Sequence, residues 1–123
     1  MATITILVSD APWAALNYAK AALDAGHSLA SVFFYQDAVA QISSLKVPVG
    51  DEPDLNKAWT ALARQQGLEL AVCVAAAERR GIVDEQASLD AGLTGHSLAE
   101  PFRLAGLGEL VEATIHSDRT VQW

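Results

Sequence analysis

Three stretches of this chain are apolar on both parities: Ile4 to Val8; Leu29 to Tyr35, which holds Val32, Phe33 and Phe34; and Leu68 to Ala75, which holds Leu70, Val72, Cys73 and Val74. A strand with one face in water alternates apolar and polar residues, whereas a strand covered on both faces reads as a continuous apolar run. Strands of that kind belong to parallel sheets, whose crossover connections lay helices over the faces. Helical spacing is therefore required between the runs.

It is found there. After Val8, Asp10-Ala11-Pro12-Trp13 combines a capping carboxylate with a proline suited to a first turn, and Trp13, Leu16, Ala19 and Leu23 recur on one face until Gly26. Asp51 and Pro53 predict the start of a second helix with Leu55, Ala58, Trp59 and Leu62 as its stripe and Gly67 as a left-handed terminator. Between Gln36 and Asp54 the pattern weakens: Asp37 to Leu45 reads as a short helix and Lys46 to Gly50 as a loop. The stretch from Ile82 to Glu100 holds a short helix begun by Asp84 and broken near Gly92 and Gly95. Phe102 to Leu104 reads as a short strand, Leu107, Leu110, Val111 and Ile115 as a helix stripe, and Arg119 to Trp123 as a closing strand. Strands alternating with helices over 123 residues predict a single three-layer α/β/α domain, residues 1–123, with a mainly parallel sheet of about five strands.

Charge limits the partners. Eight Lys and Arg stand against fifteen Asp and Glu, a formal net charge of −7, which opposes binding to a phosphate backbone or an anionic membrane surface. No apolar stretch approaches the roughly 18 to 20 residues of a membrane span, and the start, Met1 to Val8, lacks a basic leader and reads as a first strand. A single cysteine, Cys73, cannot close a disulfide within the chain and fits a reducing, cytoplasmic setting.

In a parallel sheet the functional crevice lies at the carboxyl ends of the strands, and Cys73 sits near that end of the third run. A thiol attacks as thiolate, which is favoured beside Arg or at a helix N-terminus. Arg79 and Arg80 come within reach if the chain turns after Ala76. The bland reading of Cys73 is core filling, since free cysteine is among the most buried residue types. His27 follows a helix-ending glycine, His96 lies in a weakly patterned stretch and His116 falls in a last helical turn; their spacing, with one cysteine, assembles no metal site. Asp51/Glu52 and Asp84/Glu85 sit at helix starts, where carboxylates cap free N–H groups. Gly106-Leu107-Gly108 lacks the third glycine of a dinucleotide fingerprint. No metal and no cofactor are expected.

The run Val72-Cys73-Val74-Ala75-Ala76-Ala77-Glu78-Arg79-Arg80-Gly81-Ile82-Val83-Asp84-Glu85 resembles the active-cysteine segment of the TusD/DsrE family of sulfur-relay subunits. Two further blocks agree in order and spacing: Gly26-His27 with Ser31 to Tyr35, and Leu104 to Ala113 leading to Asp118 to Gln122. The resemblance spans nearly the whole chain. It implies a DsrE-like α/β sandwich in which Cys73 accepts a sulfane sulfur and carries it as a persulfide, with Arg79 and Arg80 in support. It further implies a TusA-like donor, a TusE-like acceptor, TusB- and TusC-like sister subunits in a heterohexamer, and wobble 2-thiouridine in tRNA as the product. The DsrE branch of the family serves sulfur oxidation instead. The chain departs from the family pattern after the first strand: the family has a Gly-Pro and a longer Gln-containing turn, whereas here Ser9-Asp10-Ala11-Pro12-Trp13 passes almost directly into the helix.

Two other readings stand beside this one. The first is a non-catalytic assembly subunit of the same fold with a buried cysteine. The second is a flavodoxin-like small-molecule binder, which needs a phosphate-cradling loop after the first strand, where Asp10 opposes an anion.

Overall fold

Ile6 pairs with Val32 on one side and with Val121 on the other, so the first apolar run has a strand on each flank. The computed structural model describes residues 1–123. In chain order its elements are β1 (Thr3–Val8), α1 (Pro12–Asp24), β2 (Ser28–Phe34), α2 (Ala38–Gln41), α3 (Leu55–Gln66) and β3 (Leu70–Cys73), then α4 (Val74–Arg79), α5 (Glu85–Asp90), β4 (Phe102–Ala105), α6 (Leu107–Ile115) and β5 (Arg119–Gln122). The five strands form one sheet in the order β4-β3-β2-β1-β5, with every pairing parallel.

That order decides where the helices lie. From β1 to β4 the chain steps outward in one direction, so right-handed crossovers put α1, α3 and the α4–α5 connection on one face. The return from β4 to β5 crosses the sheet in the opposite sense and puts α6 alone on the other face. Side chains agree. Phe34 and Trp59 of α3 meet edge to face at 5.2 Å, and Phe34 meets Phe102 at 5.7 Å. On the opposite parity, Thr5 bonds through Oγ1 to the Ala113 carbonyl of α6.

The core lies mainly on the first face: Ile4, Ile6, Val8, Val32, Phe34, Leu70 and Val72 from the sheet, with Ala15, Leu16, Trp59, Leu62 and Ala63 above them, all buried. Trp59 is wholly enclosed and satisfies its indole N–H by donating to the Pro12 carbonyl at 3.1 Å, which ties α3 to the first turn of α1. Trp13, expected on the apolar stripe of α1, is instead exposed. It sits three residues before Leu16, yet α1 is rotated so that Ala15, Leu16, Ala19 and Ala22 face the sheet.

Caps also differ from expectation. The N-cap of α1 is Ala11, with no side-chain bond, and Asp10 is exposed beyond it. Helix α3 starts at Leu55 and is capped by Asp54, which accepts from the Lys57 N–H at 3.0 Å; Asp51 and Glu52 are exposed in the preceding turn. Gly67 closes α3 at φ 63°, a left-handed conformation that costs glycine little. Asp84 caps α5 through the Ala87 N–H at 2.8 Å.

Candidate functional site

The third apolar run changes conformation inside itself. Strand β3 ends at Cys73, and Val74 to Arg79 form α4, so the expected strand to Ala75 is four residues long and not eight. Small residues allow this: Ala75, Ala76 and Ala77 are good helix formers without β-branching, and Ala76 and Ala77 are buried. Cys73 thereby becomes the N-cap of α4, at φ −59° and ψ 119°. It is the last extended residue before a helix whose first N–H groups have no intrahelical acceptor.

Register defines its surroundings. Cys73 pairs with Ala105 at the end of β4, and Phe34 pairs with Val72. The β2–β3 ladder ends at that pair, so Tyr35 is the first residue of β2's continuation beyond it and Cys73 the last residue of β3. Ala71 lies opposite Phe33 and Arg103, and Arg103 binds Glu109 of α6. Cys73 shares the parity of Ala71 and so occupies the sheet face that α6 covers. The thiol is free and buried, with the residue 1% exposed.

Arg79 and Arg80 do not come near it. The chain does not turn after Ala76 but continues as helix, so the two arginines stand at the far end of α4, roughly 10 Å along the axis at 1.5 Å per residue. Arg80 donates to the Ala76 carbonyl at 3.2 Å and to Asp37 Oδ1 at 3.0 Å. Arg79 is exposed.

The histidines are dispersed. His27 accepts the Ala2 N–H on Nδ1 at 2.9 Å, His116 is the exposed C-cap of α6, and His96 lies half-buried before Ser97. No three His, Cys, Asp or Glu side chains converge as metal ligands. The Gly106-Leu107-Gly108 segment starts α6, with Gly106 as its N-cap.

Two grooves elsewhere do not open on Cys73. One of 760 Å³ runs between α1 and β5 past Tyr18, Ile4 and Val121. The other, of 460 Å³, lies beside α6 over Ser31, Ala71 and Arg103. In it Arg103 forms paired bonds to Glu109, at 2.9 and 2.6 Å, and meets Glu69 at 3.3 Å. The bond to Glu109 chiefly, with the charges of both glutamates, raises the Arg103 guanidinium further above its ordinary value. The groove's one cation is thus already committed.

Sequence reasoning missed two features of this region. One is Asp37, whose partnership with Arg80 spans 43 residues and carries no local pattern. The other is the outward side of α6, where Leu107, Val111 and Ile115 are 46%, 56% and 71% exposed and no residue of the helix is fully buried. The i, i+4, i+8 spacing was visible as a stripe, but it faces away from the sheet, while Ala113 and Ser117 turn toward Thr5.

With this geometry in hand, comparison with known proteins is informative. The chain is 49% identical over 115 residues to a protein of Vibrio parahaemolyticus named Sulfurtransferase TusD homolog, covering 94% of this chain and 88% of that one. It is 51% identical over 109 residues to Sulfurtransferase TusD of Serratia proteamaculans, covering 89% and 84%. Among solved structures, the ychN protein from E. coli superposes with a TM-score of 0.75 over the full length of both chains at 19% identity, a likeness of fold alone. The family model described as DsrE/DsrF-like matches residues 2–123. The chain belongs to the DsrE/DsrF-like family.

Proposed function

We propose that this protein is a sulfurtransferase of a sulfur relay, with Cys73 as its carrier. The observation that carries the reading is the position of the single cysteine, at the carboxyl end of β3 and the N-cap of α4, in a chain about half identical to proteins named Sulfurtransferase TusD. The Cys73 thiolate attacks the outer sulfur of a donor persulfide; the donor's S–S bond breaks, its inner sulfur leaves as thiolate, and Cys73 ends as a persulfide. No net oxidation occurs, so no electron acceptor is required. An acceptor thiolate then repeats the step on the outer sulfur of Cys73. A second cysteine in the chain would resolve the persulfide as an internal disulfide and end the relay; there is none.

The donor is TusA-like and the acceptor TusE-like, with wobble 2-thiouridine in tRNA as the product and the cytoplasm as the setting. The net charge of −7 suits a subunit that hands sulfur to a protein and does not itself hold the tRNA. TusB- and TusC-like sister subunits complete a heterohexamer. Support for assembly comes from α6: a helix apolar on its outward side as well as its inward side is one that another surface covers. Arg80 supports the site by fixing the segment after β2 to α4, and exposed Arg79 meets acidic groups on the partner. No helix is long and apolar enough to cross a membrane.

Incubation with a persulfidated donor, followed by intact mass, tests the reading: one sulfur atom is gained by the wild type and none by Cys73→Ser. Equal gain in both sinks it. The burial of Cys73 favours a second reading, a non-catalytic assembly subunit, under which neither form gains sulfur while the complex still assembles. A DsrE-type role in sulfur oxidation uses the same chemistry with a different acceptor.

A further inference from the structure

A carrier thiol that is buried must be uncovered before it can meet another sulfur, and the segment that emerges beside Cys73 has the features of a fastened strap. Tyr35 continues the β2 ladder through its N–H to the Val8 carbonyl at 2.8 Å. Gln36 then takes φ 51°, in the left-handed region, which a non-glycine residue adopts only at a cost in strain. Asp37 follows, and α2 packs beside α4 with Ala38, Val39 and Ile42 fully buried.

The strap is held at several points: the Ala38 N–H on the Ser9 carbonyl at 3.1 Å, the Ser44 N–H on the Ser97 carbonyl at 2.9 Å, Asn56 Nδ2 on the Ile42 carbonyl at 2.7 Å and Gln41 Nε2 on the Asp10 carbonyl at 3.2 Å. Only one fastening is ionic, and it is the one side-chain bond that adds to the packing of the strap on the helix that Cys73 caps: Asp37 Oδ1 to Arg80 Nη2 at 3.0 Å. The Asp37 side chain is 79% exposed and that of Arg80 27%, so a carboxylate on another protein can reach the pair from solvent. Arg80 retains the Ala76 carbonyl and stays in place when Asp37 leaves.

We propose that the Asp37–Arg80 ion pair is a latch that keeps the Tyr35–Asp37 turn closed against Cys73, and that a docking protein opens it by offering Arg80 an acidic group in place of Asp37. Release relaxes Gln36 and frees the turn to move away from the end of β3. The biological use of the latch rests on the proposed carrier role; its existence does not, and neither does its test.

The test is the rate at which iodoacetamide alkylates Cys73 in the native protein, read by intact mass. An exposed ion pair of this kind supports a change of about threefold to fivefold, so Asp37→Asn labels faster by that factor, and added salt accelerates the wild type but not the variant. Tyr35→Ala, which removes the first side chain beyond the β2–β3 ladder, labels at least as fast as Asp37→Asn. Asp118→Ala serves as control: it removes the bond that Asp118 accepts from the Thr3 N–H at 2.8 Å, at the opposite end of β1 from the strap, and leaves the labelling rate at the wild-type value. The proposal is overturned if Asp37→Asn labels at the wild-type rate, or if Asp118→Ala accelerates labelling as much as Asp37→Asn, which would trace both to general loosening. A working latch in a protein that never gains sulfur would reject the carrier reading alone.

Discussion

Cys73 and Arg80 stand at opposite ends of one short helix, the thiol as N-cap of α4 and the guanidinium as its C-cap residue. Any part the arginines take in the proposed relay is therefore played at a distance from the sulfur. Arg79→Glu is expected to slow sulfur transfer from a protein donor several-fold, because reversing an exposed charge acts on encounter rate. Sulfur transfer from a small inorganic polysulfide to the same variant stays within twofold of wild type. Parallel rate measurements with the two donors check this.

The exposed side of α6 is expected to govern assembly. Val111→Glu and Ile115→Glu place charges in a stripe that is bare in the isolated chain, so they cost the monomer little while opposing burial of that stripe. Co-purification with TusB- and TusC-like chains falls sharply for both variants, and Leu93→Glu, another exposed apolar site, retains the complex. If all three variants assemble like the wild type, α6 is not the covered face.

Trp59 joins α1 and α3 on the well-packed face. Trp59→Phe keeps most of the edge contact with Phe34 but removes the donor to the Pro12 carbonyl. The expected loss is about 1–3 kcal/mol for an orphaned buried acceptor and a small void, visible as a lower urea midpoint with unchanged slope.

The expected and the observed start of α3 separate cleanly. Asp54→Ala removes the bond to the Lys57 N–H and is expected to cost about 1 kcal/mol, whereas Asp51→Ala, exposed and outside the helix, stays within about 0.5 kcal/mol of wild type. Thermal melts of the two variants distinguish them.

The contrast between Asp51 and Asp54 also marks what was legible in the sequence. Ile4 to Val8 and Val32 to Phe34 announced buried parallel strands, because covering both faces leaves no polar parity, and Gly67 announced a helix end, because a left-handed residue was needed there. Cap choice among three nearby carboxylates was not legible, since each could bond a free N–H and only the backbone decides which one does. Helix α4 was hidden because Val74 to Ala77 is apolar throughout and has no period to read. The rotation of α1 was hidden too: spacing identifies a stripe but does not say whether Trp13 lies at its centre or its edge. For the site, the position of Cys73 at a strand end was readable. The Asp37–Arg80 pair, which unites two distant segments, emerges only once β2 and β3 lie side by side.

Under the proposed carrier role, Cys73 takes up a single sulfur and gives it back. After exposure to a persulfidated donor and removal of that donor, peptide mapping is expected to locate one added sulfur on the peptide containing Cys73, and a chase with an acceptor thiol is expected to return that peptide to its original mass. A sulfur found elsewhere, none found on Cys73 even with the strap opened by Asp37→Asn, or one that an acceptor thiol cannot withdraw would contradict the account.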